Sequence, residues 1–168
     1  MVASTASAGP ATWAMGALFE RFVNATDTGG MLGASVVTQP SGAASPQRVH
    51  TQEAEAWYIL DGDLTYAAGT GTVHLTAVDF IYLPRNVPHA FRVTSSRPAR
   101  FPALSLPGRL LDLYDQVGTP ARERRLPDGQ LSAEDIARWN EVSAEYGIRI
   151  VGRPVRESDP TPAVPRQH

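Results

Sequence analysis

Two stretches decide the fold: SPQRVHTQEAEAWYILDGDL at residues 45–64 and LPRNVPHAFRV at residues 83–93. Side chains alternate between the two faces of an extended strand, so Glu55, Trp57 and Ile59 fall together. Arg48 and His50 share a face by the same parity, as do His89, Phe91 and Val93. Proline-rich turns precede both histidines, so each is expected to open a strand. Strand starts at the rim of a barrel converge on an interior cavity. Two imidazoles and one carboxylate, from His50, His89 and Glu55, make a donor set that suits Fe, Mn, Ni, Cu or Zn and leaves coordination positions open.

The flanking sequence has the same texture. MLGASVVTQ (31–39), DLTYAAG (63–69), TVHLTAV (72–78), DFIYLP (79–84), HAFRVTS (89–95) and ARFPALSLP (99–107) are short runs rich in β-branched and aromatic residues. Turn residues bound each of them. Asp61-Gly62-Asp63 separates two runs at hairpin spacing. Many short strands at even intervals predict an all-β antiparallel sandwich or barrel over about residues 30–106.

Beyond Pro107 the pattern changes. GRLLDLYDQVG reads as a short helix, and Ser132 is placed to cap a second. That helix carries Ile136, Trp139, Val142 and Tyr146 along one face and stops at Gly147. Ile148 and Ile150 alternate with Arg149 as a return strand. Residues 107–152 are thus expected to cover the barrel as a C-terminal helical extension, giving a single domain over 11–152. Residues 1–10 and the proline-rich 153–168 read as flexible ends.

Composition narrows the chemistry. Cysteine is absent and all fifteen basic residues are arginine, so thiolate sites, disulfides and lysine Schiff bases are excluded. A net charge of -2 gives no footprint for nucleic acid. No apolar run reaches the length of a membrane span, and the N-terminus lacks a signal-peptide pattern, so a cytoplasmic location is expected.

At this point the sequence resembles the cupin superfamily. His50-x4-Glu55-x6-Gly62 matches the second half of the first cupin motif, and Pro84 and His89 are in register with the second. The pattern is similar to single-domain, quercetin 2,3-dioxygenase-like cupins from about Trp13 to Pro154, including TGG at 28–30, the helix after the barrel and the closing YGIRIVGRP. The resemblance implies a double-stranded β-helix, the cupin jelly-roll barrel, with a metal held by His50, Glu55 and His89, and it allows a homodimer. The family's remaining metal histidine falls on Arg48, its second-motif glycine on Asn86 and its closing asparagine on Val93. Arginine stays protonated and is no metal ligand.

Three functions stay open on these grounds. One is a metal-dependent oxygenase acting on an aromatic or polyketide-like molecule. A second is a metal-free cyclase, isomerase or dehydratase of specialised metabolism, with Arg48, His50, Glu55 and His89 as the catalytic set and Arg48 replacing a metal ligand. The third is a non-catalytic small-molecule-binding cupin. Trp57 and Phe91 share faces with site residues and are expected to line the cavity. Tyr58, Tyr66 and Tyr82 are expected to serve mainly the core. His74 reads as an ordinary strand residue, and Glu53, of the same parity as Glu55, as a rim carboxylate that could replace Glu55 if the register slipped.

Overall fold

The computed structural model describes residues 3, 9–69 and 71–156. Residues 1, 2, 4–8 and 157–168, where loose ends are expected, lie outside the described residues. In chain order the elements are β1 (Ala11–Ala14), β2 (Ala17–Val23), β3 (Gly33–Gln39), β4 (Gln47–His50), β5 (Ala54–Tyr58), β6 (Leu64–Ala68) and β7 (Gly71–Leu75). They continue with β8 (Phe80–Leu83), β9 (His89–Val93), β10 (Ala99–Leu106), α1 (Leu110–Val117), β11 (Thr119–Pro120), α2 (Ala133–Glu145) and β12 (Ile148–Gly152). Strand outweighs helix by 43% to 17%, and the architecture is the all-β double-stranded β-helix with a small helical C-terminal part. Among the described residues no helix is long and apolar enough to cross a membrane.

One sheet runs β11-β1-β2-β3-β10-β5-β8 and the other β12-β4-β9-β6-β7. Every pairing is antiparallel, for example Ala103↔Trp57 between β10 and β5 and Tyr66↔Phe91 between β6 and β9. The core is a layer of side chains from Phe19, Val37, Trp57, Ile59, Leu64, Tyr66, Phe91, Val93 and Phe101. Trp57 is its centre, stacked on Phe101 with ring centroids 4.2 Å apart and set edge-on to Tyr66 and Phe91. Such aromatic pairs add about 0.5–1.5 kcal/mol beyond the area they bury.

Two sequence expectations about the sheets need correction. The sheet begins at Ala11, not near residue 30, because β1 and β2 form a hairpin that joins β3. Its turn is Met15-Gly16, with φ of 49° and 75°; methionine rarely adopts that conformation, so the turn gives a weak sequence signal. Asp61-Gly62-Asp63 is not a hairpin turn either. The strands before and after it enter different sheets, so it is a corner. A Cβ on Gly62 would lie 2.6 Å from the Ala99 Cα, and its φ is 80°. Only glycine fits both conditions.

The C-terminal part closes over one end of the barrel. Ser132 caps α2 by accepting from the Asp135 N–H, with the Asp135 carboxylate returning to the Ser132 N–H. Trp139, Val142 and Tyr146 then pack with Leu110, Leu113 and Ile148. Ile136, expected on that face, is 45% exposed and stands in the first turn of α2. The buried Arg21 ties α1 to the sheet, donating to Ser35, to the Leu111 carbonyl and to Asp112, with Asp115 3.0 Å away. The chain stays attached past residue 152, since the Gln47 N–H donates to the Arg153 carbonyl and Val155 is buried.

Candidate functional site

β4 lies between β12 and β9, which sets Arg48 directly opposite His89. Glu55 reaches the same interior from β5 in the facing sheet. Arg48, His50, Glu55 and His89 are 4, 2, 4 and 1% exposed. His89 opens β9 as expected. His50 instead ends β4, because the chain turns there and Thr51 is fastened to the Gly147 carbonyl through both its N–H and its hydroxyl.

The three donor residues converge. Glu55 Oε2 lies 3.5 Å from His50 Nδ1 and 3.4 Å from His89 Nε2. All three atoms are buried without a hydrogen-bond partner. They lie within 4.8 Å of one another, so one metal ion could bridge them. Orphaned buried polar atoms are costly unless something binds between them. On the far side of its ring, His89 Nδ1 is 2.9 Å from the Val87 carbonyl; donation there leaves the Nε2 lone pair facing the centre, as in metal-ligating histidines. In donor type and spacing the cluster fits a divalent transition metal.

Arg48 changes the electrostatics. Its Nε donates to His50 Nε2 at 3.1 Å and one terminal nitrogen to Ser45 Oγ at 2.6 Å, while the other lies 4.0 Å from Glu55 Oε2. Burial opposes the arginine charge, but Tyr66, Glu55 and Tyr114 outweigh it and raise its pKa. Burial likewise pushes the Glu55 carboxyl up, yet His50, His89 and Arg48 prevail and hold it at about 2. His50 is lowered to about 3, by burial first and then by Arg48 and His89, against the pull of Glu55. The centre therefore pairs one cation with one anion beside a neutral His50 imidazole.

A cavity of about 550 Å³ opens beside this cluster, a size suited to a small organic ligand. Its walls include Phe19, Phe91, Tyr114 and Trp139, together with Leu126, Pro127 and residues 129–131. Arg48 is the one charged side chain among the described lining residues, and His50, Glu55 and His89 do not line it. Phe91 is among the lining residues. Trp57 is not, since Phe101, Tyr66 and Phe91 enclose it in the core. Tyr114, stacked on Phe19 at 4.0 Å, is the wall residue that strand parity could not find, because it arrives on α1. Burial pushes its hydroxyl pKa well above the ordinary value, so it stays protonated as a donor.

The remaining sequence candidates divide clearly. Glu53, expected at a rim, is 1% exposed. Burial, with Glu55 adding to it, pushes its carboxyl up to about 7 against Arg109 and Arg85. His74 is an exposed residue of β7. Tyr66 is core, whereas Tyr58 and Tyr82 are exposed.

Residues 35–107 match a family model described as a cupin domain. No curated protein matches the sequence. Among solved structures, the cupin domain of Cnp3 from Schizosaccharomyces pombe is similar at 17% identity and a TM-score of 0.50, covering 57% of this chain and 68% of that one. A Thermotoga maritima protein described as a predicted oxalate decarboxylase is 16% identical with a TM-score of 0.57, covering 62% of this chain and 98% of its own. Identities this low speak to fold alone, and the chemistry rests on the residues just described. Family match and sheet topology agree on a cupin-like double-stranded β-helix: residues 35–107 match the cupin-domain model, and further strands and helices are built onto both ends of that stretch.

Proposed function

We propose that the protein is a non-oxidative cupin enzyme, a cyclase, isomerase or dehydratase, acting on an aromatic or polyketide-like molecule with an anionic or enolisable oxygen. The observation that carries this reading is the placement of Arg48, the only charged side chain among the described residues of the cavity wall. In a buried apolar site a fixed guanidinium stabilises charge developing on a carbonyl or enol oxygen. Glu55, 4.0 Å away, keeps that cation tolerable in the interior. Tyr114 supplies a protonated hydroxyl to the same cavity, and the aromatic walls restrict a flexible substrate to few conformers. The described lining residues include no carboxylate or imidazole, a set suited to holding an oxyanion.

A second reading, a quercetin-dioxygenase-like oxygenase, draws support from the three orphaned donor atoms. A transition metal held by His50, Glu55 and His89 would supply Lewis-acid and redox chemistry. The discriminating experiment incubates flavonol and aromatic 1,3-dicarbonyl substrates with and without a chelator while dioxygen is monitored. The proposal expects conversion that survives chelation, consumes no dioxygen and falls on the order of 100-fold in Arg48→Gln. Dioxygen uptake that requires stoichiometric metal overturns it. Tight binding without turnover overturns it too, in favour of a non-catalytic binding protein.

A further inference from the structure

A neutral imidazole carries one proton, so whichever ring nitrogen accepts a hydrogen bond leaves the proton on the other. His50 Nε2 accepts from Arg48 Nε at 3.1 Å. Arginine cannot reverse that bond, because it has no acceptor and stays protonated. The proton of neutral His50 is therefore on Nδ1, the atom 3.5 Å from Glu55 Oε2. His89 is arranged differently: its Nδ1 faces the Val87 carbonyl, so donation there frees Nε2, which faces the centre, to act as an acceptor. Of the three atoms aimed at the cluster, Glu55 Oε2 presents lone pairs and His50 Nδ1 an N–H, while His89 Nε2 presents a lone pair when Nδ1 donates to the Val87 carbonyl.

We propose that Arg48 locks His50 in its Nδ1–H form and so removes it from the metal-ligand set, leaving a cation only Glu55 and His89. Recruiting His50 would move its proton to Nε2, against the Arg48 N–H 3.1 Å away. Two donors would then face each other in a buried site, at the cost of a hydrogen bond and with a polar group left unsatisfied. Arg48 is thus a positioning residue that acts on a metal through His50. Ser45 steadies it, accepting from its terminal nitrogen at 2.6 Å. The inference concerns the regulation of the site in the proposed function but does not depend on what the cavity binds, so the two fail separately.

The test uses the ligand-free full chain and Zn²⁺ as probe. Long-range ¹H–¹⁵N correlation spectra of histidine-labelled wild type are expected to show His50 protonated at Nδ1, and to keep showing it in excess Zn²⁺. Arg48→Met is expected to bind Zn²⁺ at least roughly tenfold more tightly, with loss of the Nδ1 proton. His50→Ala should weaken Zn²⁺ binding in the Arg48→Met background and leave it unchanged in the wild-type background. Charge repulsion alone predicts the tenfold gain without that difference between backgrounds. The proposal is overturned if wild-type His50 is protonated at Nε2, if Zn²⁺ displaces its Nδ1 proton, or if His50→Ala weakens Zn²⁺ binding to the wild type. The wild-type spectrum decides the matter even if Arg48→Met does not fold.

Discussion

Replacing Glu53 with glutamine is expected to stabilise the protein, and to do so increasingly as pH rises. Glu53 is 1% exposed and its Oε2 has no hydrogen-bond partner. Its carboxyl is pushed from 4.5 to about 7, by burial first and by Glu55 second, with Arg109 and Arg85 pulling the other way. A folded-state pKa above the unfolded one means that the native state holds the proton more tightly. The associated stability is therefore fully present below about pH 4.5 and is lost as pH rises through about 7. At 1.36 kcal/mol per pKa unit the shift corresponds to an upper limit of roughly 3 kcal/mol. Glutamine keeps the shape and cannot ionise, so Glu53→Gln escapes that loss. Urea denaturation of both proteins at about pH 5 and about pH 8 measures it. The stability difference, mutant minus wild type, should be larger at the higher pH by about 1–3 kcal/mol. A difference that does not change with pH, or a mutant that gains relative stability at the lower pH, refutes the reasoning.

Other expected outcomes follow from single contacts. Trp57→Phe should lower stability by about 1–3 kcal/mol in thermal or urea denaturation through lost packing against Phe101. Ligand affinity should be unchanged, and a large loss of affinity would return Trp57 to the cavity wall. Ser132→Ala removes the cap of α2 and should cost about 1 kcal/mol, seen as a melting temperature lower by several degrees.

Much of the fold was legible because period-two alternation and turn chemistry are local. The strands from β3 to β10, the cap at Ser132 and the stop at Gly147 all show in single windows of sequence. The misreadings arise where a local signal answers to a distant constraint. Asp61-Gly62-Asp63 has the composition of a hairpin turn, but its glycine is required because Ala99 from another strand lies against it. Met15-Gly16 makes a hairpin with a residue that seldom adopts positive φ, so its composition conceals it. Ile136 sits on the apolar stripe of α2 and is still 45% exposed, because burial depends on what packs against that turn, which no periodicity encodes.

The site divides along the same line. His50, Glu55 and His89 stand out by residue type and parity, and the parity of Arg48 with His50 points it inward. What parity cannot supply is the second wall of the cavity, since Tyr114 and Trp139 reach it only when α1 and α2 dock over the barrel. Nor does it reveal the consequence of an arginine at position 48, where the family pattern carries a metal histidine. A histidine there would add a neutral donor, and a bound dication with the Glu55 carboxylate would leave a buried charge of about +1. Arg48 already neutralises Glu55 from 4.0 Å, so the same dication would leave about +2 in a dry interior, where unpaired charge is penalised steeply. The guanidinium thus performs the charge-balancing part of a metal's role, and it is the group that reaches the cavity wall. An anionic ligand oxygen meeting Arg48 would add the negative charge that makes a cation beside Glu55 and His89 less costly. Ligand and metal affinities should therefore rise together, by equal factors, if both ever occupy the barrel.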